Sequence, residues 1–278
     1  MGPTIVICSG AWPLESFFQP LIQAFKAIGQ DAICKVPQSY PAADPDNPPE
    51  HNYDSVFLRT HVLNPLLEEG KGIVIFMHSY GGVYGPESLE GTSKKERASK
   101  GLQGGVVAVI FAAAHIAFKG VSAIDAMGLD PDNLPDYLEH DVRKPRAKTR
   151  LHAHVRPKLS TDLVGLKKAA SKAMLFHDLP DEEADRLAGL LPKQPFTCFS
   201  TPVQWEPYRD LNFQGLLGYI HTEADRILPL ERQKHYVEIA GIEHTYMMEN
   251  MSHSPHHEQP GLLAKVVVDM MKTIYERK

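Results

Sequence analysis

A chain of 278 residues with 43% hydrophobic content has room for the packed core of one large domain or two small ones. Its formal net charge of -5 gives no electrostatic reason to expect a nucleic acid or an anionic membrane as partner. No run approaches the roughly eighteen consecutive apolar residues of a membrane span, and a strand-like segment begins too early to leave room for a signal peptide, so a cytoplasmic location is the expectation.

Short apolar runs bounded by turn residues predict six strands: Thr4 to Cys8, Asp31 to Val36, Gly72 to Met77, Val106 to Phe111, Leu216 to His221 and Tyr236 to Ile239. They are rich in Val and Ile without polar alternation, as strands buried on both faces of a parallel sheet are. The first runs into Cys8-Ser9-Gly10-Ala11-Trp12-Pro13, where Gly10 permits a sharp turn. A helix follows over Leu14 to Ile28, with Phe17, Phe18, Leu21, Phe25 and Ile28 on one face and Gly29 at its end. The Pro-rich run Pro37 to Pro49 reads as an ordered surface loop near the strand C-termini. Asp54 is placed to cap a second helix, which Pro65 bends or divides.

The third strand continues as Met77-His78-Ser79-Tyr80-Gly81-Gly82, the pattern of a nucleophile elbow, in which a serine on a strained strand-to-helix turn exposes its hydroxyl. The usual Gly-x-Ser-x-Gly has glycine where this chain has Met77, which requires a wider turn or a small neighbour that makes space. A buried strand ending in a serine-capped helix is the competing structural reading.

From residue 119 to 215 no strong strand is evident, and prolines separate several short helices, Asp181 to Leu191 the clearest. So long a stretch is no ordinary loop. It reads as a helical lid (cap) insertion, 119-215, in a core made of 1-118 and 216-278, giving an α/β architecture with a doubly wound, mostly parallel sheet. The basic run Arg143 to Lys158 within it reads as a solvated surface. Strand and helix then alternate again, and the last helix, Gln259 to Glu276, buries Leu262, Leu263, Val266, Val267, Met270 and Ile274. The three cysteines, Cys8, Cys34 and Cys198, are widely spaced and read as buried thiols.

A serine hydroxyl needs an imidazole to take its proton and an acid to orient that imidazole. Asp225 follows the fifth strand, with Glu223 in the same turn as its rival. His253 lies between the last strand and the last helix, in a cluster with His256 and His257 that lacks an evident companion ligand for zinc. Ser79, Asp225 and His253 thus occur in the order that this architecture demands. Backbone N–H groups of Tyr80 and of Ala11, with Trp12 the alternative to Ala11, are candidate oxyanion donors. Trp12 and His78 are candidate substrate-binding residues, although an aromatic or a histidine at a strand end, His115 included, also reads as packing. The orientation of Cys198 and Trp205 is not legible.

On Gly10-Ala11-Trp12, His78-Ser79-Tyr80-Gly81-Gly82, the strand from Gly104 to Phe111, Asp225 to Pro229 with Gln233, and Ser252-His253-Ser254-Pro255, the chain resembles the α/β-hydrolase superfamily. Within it the compact branch of plant methyl esterases and hydroxynitrile lyases is the most similar, together with uncharacterised fungal α/β hydrolases. The resemblance implies Ser79 as nucleophile, Asp225 as acid, His253 as base, and Ala11 and Tyr80 as oxyanion donors. Met77 and Ser9, the latter where relatives often have histidine, depart from the pattern without removing a reacting group.

The leading expectation is a serine hydrolase acting on an ester or thioester of a small, largely apolar molecule through an acyl-serine, with no cofactor and no metal. The same triad also serves lyase, carbon–carbon hydrolysis or polyketide-release chemistry, and the same pocket serves a small-molecule receptor with little turnover. Oligomeric state is open, a homodimer included.

Overall fold

The Val- and Ile-rich runs become strands because both faces of each are covered. In the computed structural model, which describes residues 2–40, 49–141 and 162–276, β1 (Thr4–Cys8) is buried throughout. One turn of 3-10 helix (Glu15–Phe18) leads into α1 (Gln19–Ala27), whose Leu21 and Phe25 face the core. Gly29, at φ 76, follows its end, and Ile28, expected on the buried face, is 42% exposed. After β2 (Ala32–Cys34) comes α2 (Tyr53–Leu58), and here the sequence reading needs correction. Asn52 is the cap: its side chain accepts the Asp54 N–H at 2.9 Å, while the Asp54 carboxyl is buried. A π-helical turn (Arg59–Leu63) joins α2 to α3 (Asn64–Glu68), with Pro65 in the first turn, where a missing N–H is tolerated.

β3 (Gly72–His78), α4 (Gly81–Glu87), α5 (Lys94–Ser99) and β4 (Gly105–Ala112) follow. Next come α6 (Ala123–Met127), opened by a Ser122–Asp125 capping box, β5 (Leu138–Asp141), β6 (Leu163–Leu166), α7 (Lys168–Leu175), α8 (Asp181–Ala188), β7 (Gln194–Pro195) and α9 (Thr197–Ser200). To the helices expected between residues 119 and 215 the structure adds a three-stranded antiparallel sheet, β5-β6-β7. These strands are too short, and β5 (Leu-Glu-His-Asp) too polar, to give an apolar run. The basic run Arg143 to Lys158 and residues 41–48 of the Pro-rich loop lie outside the described residues.

β8 (Leu217–Thr222) leads to α10 (Leu230–Ala240), which overturns the expected strand at Tyr236 to Ile239. Gln233, Tyr236 and Ala240 are buried at helical spacing, Ile239 is 44% exposed, and Gly241 at φ 62 ends the helix. Local β-propensity there loses to a one-sided burial pattern of helical period. The sixth strand is β9 (His244–Met248), followed by α11 (Pro255–Glu258) and α12 (Pro260–Glu276). α12 buries Leu263, Val267, Met270 and Ile274, but Leu262 is 42% exposed. No described helix is long and apolar enough to cross a membrane.

The central sheet has the order β2-β1-β3-β4-β8-β9, and every pairing in it is parallel. The chain moves outward from β1 to β2 and then returns to the other side of β1 to form β3. This reversal opens a crevice beyond the C-terminal ends of β1 and β3, the place where open α/β sheets bind ligands. Ser9–Pro13 and Ser79 lie at those two strand ends.

Candidate active site

Ser79 follows the end of β3 with φ 53, a left-handed backbone that costs a residue with a Cβ about 1–3 kcal/mol. Close packing holds it there. A Cβ on Gly81 would stand 2.5 Å from the Cys8 carbonyl oxygen, so only glycine lets α4 approach β1 this closely. The Ser79 carbonyl accepts the N–H groups of Gly82 and His115 at 3.0 and 3.1 Å. Met77 finds its space beside Gly85, where an added Cβ would meet the Met77 Cε at 2.9 Å. The small neighbour that this methionine requires is therefore one turn further on, in α4.

The Ser79 hydroxyl lies 2.9 Å from Nε2 of His253, and Nδ1 of His253 lies 2.7 Å from Oδ2 of Asp225. Asp225 sits in the turn after β8, where its Oδ1 accepts the N–H groups of Ile227 and Leu228, each at 2.8 Å. Burial pushes its carboxyl up, but the charge and hydrogen bond of His253 and those two amides outweigh burial and hold it below its ordinary 3.8. An ionised Asp225 accepts from Nδ1–H, which leaves Nε2 as the acceptor for the serine proton. Gln233 braces the turn: its Oε1 accepts the Thr222 N–H, and its Nε2 donates to the carbonyls of Thr222 and Leu228.

Glu223 is not in this chain of bonds; its carboxylate accepts the Asn250 N–H at 2.9 Å on the surface. Of the three clustered imidazoles, only His253 meets Ser79. His256 stacks on Phe18 with ring centres 4.5 Å apart, and His257 packs edge-on against Phe17. Among the described residues no group of three or more His, Cys, Asp and Glu side chains is arranged to hold a metal ion. His78 donates from Nε2 to the His253 carbonyl at 2.7 Å, so the residue before the serine also fixes the backbone of the imidazole. Burial foremost, then the neighbouring His253, pushes the His78 imidazole down to about 3, which keeps it neutral.

A cavity of about 190 Å3 lies over Ser79 and His253. Trp12, His78, Ala11, Tyr80 and His115 all contribute to its wall, and Ile124, Leu134, Val164, Leu166 and Phe199 close it from the segment between β4 and β8. The wall is predominantly apolar. Cys198 and Trp205 are not part of it; Trp205 packs against Phe213, and Cys198, like Cys8 and Cys34, is a buried free thiol. Trp12 has φ 55, and its N–H donates to Gln194 Oε1 at 2.9 Å. That amide is thereby engaged, whereas Ala11 precedes it on the cavity wall. Gln194 gave no sign in the sequence, because its partner is 182 residues away.

A family model described as the alpha/beta hydrolase family matches residues 5–266. The chain belongs to the alpha/beta hydrolase family. This alpha/beta hydrolase is 25% identical over 203 residues to the alpha/beta hydrolase nvfD of Aspergillus novofumigatus (strain IBT 16806), spanning 73% of this chain and 72% of that one. Among solved structures, polyneuridine aldehyde esterase superposes with a TM-score of 0.65 at 17% identity, covering 97% of this chain and 99% of its own. The Arabidopsis methylesterase MES16 gives 0.65 at 17% identity over 98% and 99% of the two chains. Tomato methylketone synthase I, complexed with 2-tridecanone, gives 0.67 at 13% identity over 99% of each. At these identities the structural likenesses establish the fold.

Proposed function

We infer that this alpha/beta hydrolase is a serine esterase that cleaves an ester or thioester of a small, largely apolar molecule, with Ser79 as nucleophile, His253 as base and Asp225 as the acid that orients it. The observation that carries the reading is the continuous path Ser79–His253–Asp225, with bonds of 2.9 and 2.7 Å, at the base of an apolar cavity. Strain at the serine is the second support, since a left-handed residue of this kind persists where geometry serves chemistry.

His253 Nε2 takes the Ser79 proton as Oγ attacks the carbonyl carbon, and the carbonyl electrons move onto oxygen. The N–H groups of Ala11 and Tyr80 receive that oxyanion, each worth about 3 kcal/mol in the transition state. Collapse breaks the bond to the leaving group, which departs as alcohol or thiol with the proton from His253, leaving acyl-Ser79. Water, deprotonated by the same imidazole, releases the acid and restores the serine. Trp12 and His78 form part of the substrate wall, and residues 119–215 act as the lid whose apolar side chains select the acyl or alcohol group.

Short aryl esters provide the test. Turnover by the wild type that falls by about 10⁴-fold or more in Ser79→Ala supports hydrolysis through this serine. Tight ligand binding without turnover, in the wild type itself, would replace the enzyme with a receptor.

A further inference from the structure

Trp12 follows the proposed oxyanion donor Ala11, and its left-handed backbone, φ 55, aims the turn. Both ends of this residue are gripped from the small sheet. Its N–H donates to Gln194 Oε1 on β7 at 2.9 Å, and its indole N–H donates to the Val164 carbonyl on β6 at 3.0 Å. Gln194 is wholly buried, and its Nε2 donates to Asp54 Oδ2 at 2.8 Å. These two partners fix which way the amide faces: reversed, it would set N–H against N–H and oxygen against carboxylate.

Asp54 reaches the other proposed donor as well. The hydroxyl of Tyr80, whose backbone N–H is that donor, lies 3.0 Å from Asp54 Oδ2 and 2.8 Å from the Cys198 carbonyl, and accepts from Asn52 Nδ2 at 2.8 Å. Tyr40 donates to the remaining carboxylate oxygen at 2.9 Å. None of these groups touches the reacting atoms. They form one buried network with a branch to each side of the oxyanion hole.

We propose that Gln194 is a positioning residue that, with Asp54, sets the distance and angle of both oxyanion donors. The proposal rests on the serine-esterase reading. A carboxamide between a backbone N–H and a buried carboxylate has little freedom to shift, so the Trp12 amide, and Ala11 before it, stay aimed at the place where charge develops. The small sheet then helps to assemble the hole as well as to cover it.

The test compares Gln194→Met, Gln194→Glu and Tyr80→Phe with the wild type on an aryl ester, and measures inhibition by an aryl boronic acid, whose serine adduct places an oxygen in the hole. Gln194→Met is expected to lower kcat by about 10- to 100-fold, below the cost of deleting a donor outright, with KM within about threefold. Boronate affinity should fall by a similar factor. Gln194→Glu keeps an acceptor for the Trp12 amide but sets its second oxygen against the buried Asp54 carboxylate, so it should not recover the loss. Tyr80→Phe should show the same signature at about five- to tenfold, and keeps the question open to measurement if Gln194→Met fails to fold. Ester turnover that is equally fast in wild type and Gln194→Met, or a kcat loss without loss of boronate affinity, overturns the positioning role alone. A wild type without Ser79-dependent turnover overturns the esterase reading and this role with it.

Discussion

Two carboxylates two positions apart, Glu223 and Asp225, show how local geometry separates equivalent chemistry. Asp225 is buried against His253 and receives two backbone amides, whereas Glu223 is exposed and holds Asn250. Asp225→Asn is expected to lower kcat on aryl esters by about 10⁴-fold, because a carboxamide offers Nδ1 the wrong partner and favours the wrong tautomer. Glu223→Gln should stay within about twofold, as a neutral amide oxygen can still accept from Asn250 at the surface. The reverse ranking of initial rates would contradict the assignment of the acid. The same scale explains what was legible beforehand: the meeting of Ser79 with a late acid and a late histidine follows from chain order on an alternating α/β pattern. Gln194 and Asn52 were not legible, since a buried amide that bonds 182 or 146 residues away leaves no periodic or local trace.

At the level of elements, the turn at Ser79 depends on how closely α4 packs against β1 and β3. Met77 on β3 occupies space that the absent side chain of Gly85 leaves free. Gly85→Ala is expected to destabilise the fold by about 1–2 kcal/mol, since a Cβ 2.9 Å from Cε forces this methionine, wholly buried, into a new rotamer. Met77→Ala in the same chain should remove the clash, so that in a thermal or urea series the double variant loses less than the sum of the single changes. Strict additivity would mean that the two residues do not share this space. Long parallel strands were readable because both faces are apolar; α10 was misread because Tyr236-Val237-Glu238-Ile239 has strand composition, while only its burial period is helical. The strands β5 to β7 escaped because four, four and two residues are too few to show alternation.

On the scale of the whole molecule, burial of imidazoles around the site ties stability to pH. His78 and His115 are each pushed down to about 3, burial being the larger cause, from an ordinary value of 6.5. As pH falls below 6.5 the unfolded chain takes up these protons and the folded chain does not, so the stability present above 6.5 is lost progressively toward 3. Each contributes at most about 1.4 kcal/mol per pH unit. His221 and His257, both pushed down to about 4, act with the same sign. Glu258, raised by burial from 4.5 to about 7, opposes them: its contribution is whole below 4.5 and lost as pH rises through 7. With these four imidazoles, and His256 likewise pushed down by burial, against this carboxyl, Tm is expected to fall steadily from pH 6.5 to 4.5, and a flat profile over that range would show that the imidazoles are not held neutral.

The measurement closest to the centre is labelling of the intact protein by a fluorophosphonate, with the site located by mass spectrometry. A single phosphonyl group on Ser79, absent from Ser79→Ala and strongly slowed in His253→Ala, is the expected result. Labelling that persists in Ser79→Ala, or maps to another residue, would remove Ser79 from the chemistry and the esterase reading with it.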